Sequence, residues 1–143
     1  MPISTPKEPS VSIVFPLSDV NTKFGTIPTP LLTISVLTKF GYQSYQFLFD
    51  TGADFTMLPR YMAEDTGVNT KTLPQIRSYG IEDRGINVFI GKIKVKFASK
   101  ELTVRCLFSE KDTTPFLLGR IDIFTHFNIA FDNIHKKVTF TPI

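Results

Sequence analysis

The 143-residue sequence has no tryptophan and a single cysteine, Cys106. One thiol cannot close an intrachain disulfide, so noncovalent packing alone must hold the fold. With Val104 and Leu107 beside it, Cys106 reads as a small buried hydrophobe of a strand and not as a nucleophile. Long apolar runs are missing too. A membrane helix needs about 20 uncharged apolar residues, and the most apolar stretch, residues 117–131, is broken by Arg120, Asp122 and His126. Neither charge sign dominates. The 16 basic and 13 acidic side chains are dispersed, so the net charge of +3 forms no stripe for nucleic acid. No glycine-rich phosphate loop occurs. His126 and His135 are not spaced with each other or with Cys106 as a closed metal site requires, so neither metal nor cofactor is expected. Residues 1–10 hold three prolines with no apolar run and no basic lead-in, which makes a flexible leader the expectation and not a signal peptide. These absences together lead to the expectation of a soluble, cytoplasmic protein.

What is present describes a folded chain. Apolar residues make up 42% and charged residues 20%, and 14 phenylalanines must carry much of the packing. The length suits one domain, expected over residues 11–143. Alternating or continuous apolar, β-branched patterns predict strands at 11–15, 31–38, 45–49, 86–90, 92–97 and 102–108, with prolines 16, 28 and 30 interrupting between the first two. Pro59 can open a short helix over 60–65 and Gly67 can end it. A second short helix is expected after Gly119, and a hairpin over 127–131 and 137–141 turns at Asp132-Asn133. The fold class is therefore all-β with one or two short helices.

The strand at 45–49 ends in Phe47-Leu48-Phe49 and delivers Asp50, followed by Thr51-Gly52-Ala53-Asp54-Phe55-Thr56. A carboxylate placed after a buried strand, with a small hydroxyl residue and a glycine next to it, sits on a tight loop whose backbone N–H groups can hold it. A second segment, Pro115-Phe116-Leu117-Leu118-Gly119-Arg120, brings an apolar pair to a glycine that permits close backbone approach. Together the two segments resemble the retropepsin-like (retroviral-type) aspartic proteases, in which an apolar strand enters Asp-Thr-Gly-Ala-Asp and an apolar-apolar-Gly-Arg strand passes beside that loop. Asp65-Thr66-Gly67 repeats the tripeptide, but it follows Ala63-Glu64 on a charged helical pattern and continues into Val68-Asn69. It reads as a helix end stopped by glycine, not as a second active-site aspartate.

The resemblance implies a closed six-stranded acid-protease barrel and an aspartic endopeptidase, of cellular or microbial more than virus-processing type. Its catalytic residue would be Asp50 on the loop Thr51, Gly52 and Ala53, with Asp54, Gly119 and Arg120 as structural support. In the family the arginine pairs with the aspartate at the position of Asp54, so replacing Arg120 by Ala is expected to unfold or inactivate the protein. The hydroxyl of Thr51 would reach across to a partner loop. One such aspartate per chain requires a homodimer, which could be a weak one, and the substrate would be an extended peptide. Tyr79, Gly80, Ile81 and Gly85 could form a flap over the substrate. The charged Glu82-Asp83-Arg84 there leaves an ordinary exposed turn as the alternative. The rival reading of the whole chain is a non-catalytic peptide-binding or assembly module that keeps the fold without a productive dimer.

Overall fold

The computed structural model describes residues 11–78 and 85–143. Its strands in chain order are β1 (Ile13–Pro16), β2 (Ser18–Thr22), β3 (Gly25–Thr29), β4 (Leu31–Thr38), β5 (Gly41–Phe49), β6 (Thr56–Leu58), β7 (Gln75–Ser78), β8 (Ile86–Phe97), β9 (Lys100–Ser109), β10 (Leu117–Leu118), β11 (Phe127–Asp132) and β12 (Lys137–Pro142). An α-helix, α1 (Tyr61–Asp65), follows β6, and a single 3-10 turn spans Thr70–Thr72.

β4 buries Leu32, Ile34, Val36 and Thr38 and turns its alternate residues outward, as a half-buried strand must. It turns into β5 through Lys39-Phe40, with Gly41 at φ +96°, a left-handed conformation that costs glycine little. From β5 the hydrogen-bonded order runs through β10, β6, β9 and β8, and β8 returns to β4 through Ser35↔Lys96 and Val36↔Val95. These six strands form a closed β-barrel. β7 pairs with β8 and is the last strand of that sheet among the described residues. A separate three-stranded sheet places β12 between β1 and β11, joining both ends of the described chain. One cluster of buried residues runs through both layers: Phe47, Val95, Phe97 and Phe108 of the barrel pack with Phe127, Val138 and Phe140 of the terminal sheet.

Several elements differ from the sequence expectation, among them the short strands β6 and β7, which it did not include. The strands expected at 86–90 and 92–97 are one, because Gly91 keeps its register opposite Cys106. A Cβ at Gly91 would come within 2.8 Å of the Phe108 ring, so the glycine makes room for a core side chain and does not mark a turn. Residues 18–29, where Pro28 and Pro30 suggested only an interruption, form the β2–β3 hairpin, with Pro28 paired opposite Asp19. The first strand starts at Ile13, leaving Val11 exposed. The helix expected after Gly119 is absent. Turns occupy residues 121–126, because Asp122 adopts φ +67°, which no right-handed helix accommodates.

Candidate active site

β5 carries Phe47 and Phe49 into the core and releases the chain at Asp50, which is half-buried. β5 and β10 run parallel, with Leu48 opposite Leu117 and Phe49 opposite Leu118. The ladder continues one step further, since the Asp50 N–H donates to the Leu118 carbonyl at 3.0 Å. The loop then folds back on itself: Gly52 N–H donates to Asp50 Oδ1 at 3.0 Å and Ala53 N–H to the Asp50 carbonyl at 3.1 Å. A Cβ on Gly52 would lie 3.3 Å from Asp50 Oδ1, so the glycine leaves the carboxylate uncrowded. Thr51 stands exposed on the same loop.

The segment after β10 braces this loop from the other side. Arg120 N–H donates to the Ala53 carbonyl at 3.0 Å and Ile121 N–H to the Asp54 carbonyl at 2.8 Å. Arg120 Nη2 also donates to Asp54 Oδ1, so the structure brings these two residues together. Gly119 is buried, and its N–H donates to the hydroxyl of fully buried Thr56 at 3.1 Å. A Cβ there would sit 2.8 Å from the Thr56 nitrogen and closer still to the Phe55 carbonyl, a space that no side chain fits.

Asp50 borders two cavities. One, of about 420 Å³, opens past Gly52 and Ala53 and is walled by Met57, Ile76, Leu107 and Leu117. The other, of about 460 Å³, opens past Thr51 and is walled by Leu17, Pro28, Pro30, Phe131 and Asn133. An acid on a braced loop, facing a cavity that Ile76, Arg77 and Ser78 of β7 also line, can meet an extended chain laid in that cavity.

The sequence profile of a family described as aspartyl protease matches residues 36–120, which span β4 to the residue after Gly119. The chain belongs to the aspartyl protease family. A retropepsin-like aspartic protease from Rickettsia conorii aligns over 96% of this chain and 98% of its own, at 16% identity and a TM-score of 0.66. The EIAV protease, in complex with the inhibitor HBY-793, aligns over 64% of this chain and 82% of its own, at 19% identity and a TM-score of 0.47. No curated protein sequence matches the chain. The fold is thus retropepsin-like, and the family makes the protein a peptidase in general terms.

Within this aspartyl protease the second Asp-Thr-Gly is a helix end. The Thr66 hydroxyl donates back to the Met62 carbonyl at 2.7 Å, and Gly67 leaves the helix at φ +79°. Of the expected flap residues, Tyr79, Gly80 and Ile81 lie outside the described residues. Gly85 is buried at φ +73°, just before β8. Among the described residues no group of His, Cys, Asp and Glu could hold a metal ion, and no helix is long and apolar enough to cross a membrane. Cys106 is fully buried, and burial pushes its thiol up to about 12.

Sequence reasoning missed the partner of Asp122. Its carboxylate accepts from Arg105 of β9 three times, from the backbone N–H at 2.8 Å and from Nε and Nη2 at 3.0 Å each. These hydrogen bonds hold the Asp122 carboxyl below its ordinary value. The clamp ties the turn that starts at Arg120 to the barrel wall. Nothing local signals it, because 17 residues separate the partners.

Proposed function

We propose that the protein is an aspartic endopeptidase whose active site forms when two copies bring their Asp50 side chains together across a twofold axis. The observation that carries this reading is the Asp50 loop: a half-buried carboxylate that borders two cavities, on a loop braced by Leu118, Ala53 and Gly52, beside a cavity of about 420 Å³ walled by Met57, Ile76, Leu107 and Leu117. Two carboxyls about 3 Å apart cannot both ionise easily, so the pair holds one proton and titrates as a unit. The ionised member takes a proton from a water held between them, and that water attacks the peptide carbonyl carbon. The protonated member gives its proton to the carbonyl oxygen, producing a neutral tetrahedral diol. Collapse of the diol returns a proton to the dyad and delivers one to the departing amine, and the C–N bond breaks. Each chain contributes one aspartate of this kind, so hydrolysis depends on the dimer.

In this reading Thr51 ties the two loops across the axis, and Asp54, Gly119 and Arg120 hold each loop in place. Asp50→Asn should abolish cleavage of a peptide library from acidic to neutral pH, read by mass spectrometry, while the thermal melt stays at the wild-type temperature. Peptide cleavage by this variant at the wild-type rate would refute the assignment. A peptide mimic with a tetrahedral hydroxyl should inhibit the wild-type protein, since that hydroxyl takes the place of the attacking water.

A further inference from the structure

We propose that the β2–β3 hairpin is an arm that clasps the second copy of this chain, with Phe24 and Ile27 as its contacts. The inference rests on the reading that Asp50 works in a homodimer, and it adds the surface that holds the two copies together. Asp50 lies between two cavities, and they differ in kind. The cavity past Gly52 is lined by Ile76, Arg77 and Ser78 of β7, the last strand in its sheet among the described residues, and has room for an extended peptide segment. A body that carries a second carboxylate to Asp50 must approach on the side the peptide leaves free, past Thr51.

That side is where the hairpin is rooted. Pro28 near the end of β3 and Pro30 just beyond it wall the cavity that also holds Asp50 and Thr51. Proline has no N–H to donate, so this wall is poorly suited to adding a peptide strand and presents side chains instead. Among the described residues β2 and β3 pair only with each other, over five residue pairs. A two-stranded ribbon of this kind is marginal at best in water, and it gains stability when a face is covered. Its apolar side chains are uncovered in the single chain: Phe24 at the tip is 85% exposed and Ile27 is 47% exposed. Phe131, on the opposite wall of the same cavity, is 47% exposed, so the apolar surface continues from the hairpin to the edge of the terminal sheet. A stable dimer buries about 800 Å² on each partner. The few residues of the Asp50 loop fall well short of that, whereas a projecting hairpin supplies area on both sides of a twofold axis.

The test compares a Phe24→Ser, Ile27→Ser double variant with Phe40→Ser. Phe40 is 76% exposed and lies in the β4–β5 turn, at the opposite end of those strands from Asp50. Sedimentation velocity over a concentration series gives the dimer dissociation constant, and peptide cleavage over the same series gives the activity midpoint. The double variant should raise the dissociation constant at least tenfold and move the activity midpoint by the same factor. At high concentration it should reach the wild-type plateau, and Phe40→Ser should behave as wild type. A double variant that dimerises as wild type does would overturn the arm and leave the dyad standing. So would an equal shift in Phe40→Ser. A wild-type chain that cleaves peptides while monomeric at every concentration would overturn the dyad reading, and the arm with it.

Discussion

Gly119 and Arg120 are neighbours that brace the same loop by different physics, and substitutions should separate them. At Gly119 the constraint is steric and buried, since any Cβ would overlap the backbone of Phe55 and Thr56. Gly119→Ala should therefore cost about 3 kcal/mol, the upper part of the range for overpacking a rigid site, measured by urea unfolding. At Arg120 the constraint is an ion pair whose members are 46% and 68% exposed. Solvent screens such a pair, and its loss should cost the single chain no more than about 1 kcal/mol. Of the two outcomes expected for Arg120→Ala, unfolding or inactivation, this exposure favours inactivation. The variant should fold and melt near the wild-type temperature, and any loss should appear in the peptide-cleavage rate. A collapse in the urea midpoint like that of Gly119→Ala would show that the pair is far better shielded than its exposure implies. Both residues were legible in the sequence as a motif. The difference between them was not, because solvent exposure depends on what the rest of the chain covers.

Among the elements, the strands that read most clearly were those with a buried face. β4 and the first half of β9 alternate in sequence because they alternate between core and solvent in space, and the apolar run Cys106 to Phe108 that follows is buried throughout. β2, β3 and β7 bury no apolar face, so their short and mostly polar sequences, with Pro28 in β3, carried no period to detect. The turn after Gly119 was misread for a related reason. Ile121, Ile123 and Phe124 suit a helix, and the override comes from Arg105, a distant residue that holds Asp122 in the left-handed region. That override has a pH signature. The Asp122 carboxyl is depressed in the folded state, chiefly by the Arg105 hydrogen bond. Its contribution to stability is complete above the unfolded carboxylate value and is lost as pH falls through the lower folded value. Asn tolerates the same backbone conformation but lacks the charge. Urea unfolding of wild type and Asp122→Asn should therefore show a gap that is constant above about pH 5 and narrows in stronger acid. A gap that widens on acidification would mean that Asp122 is not the group being protonated.

At the scale of the whole molecule, the barrel and the terminal sheet share one core, and the site depends on both. The Phe140 ring of β12 packs on Phe97 of β8 at 5.5 Å and on Phe49 of β5 at 5.3 Å between centroids. Phe49 immediately precedes Asp50, so a ring three positions before the last residue of the sequence supports the strand that delivers the carboxylate. Composition pointed to a core made of phenylalanine, but not to which rings meet, since those contacts join residues far apart in the chain. Phe140 is fully buried, and Phe140→Ala should destabilise the protein by about 3–5 kcal/mol. Because both sheets share the cluster, the loss should not release the terminal sheet alone. Far-UV circular dichroism and tyrosine fluorescence should shift together to one lower transition, at a single protein concentration so that any change in dimerisation does not enter. Three of the four tyrosines, Tyr42, Tyr45 and Tyr61, lie on β5 and α1, so most of the fluorescence follows the barrel side of the core. If the dichroism of the variant split into two steps, with the fluorescence following only the later one, the terminal sheet would be separable from the barrel and the support it gives Asp50 would be dispensable.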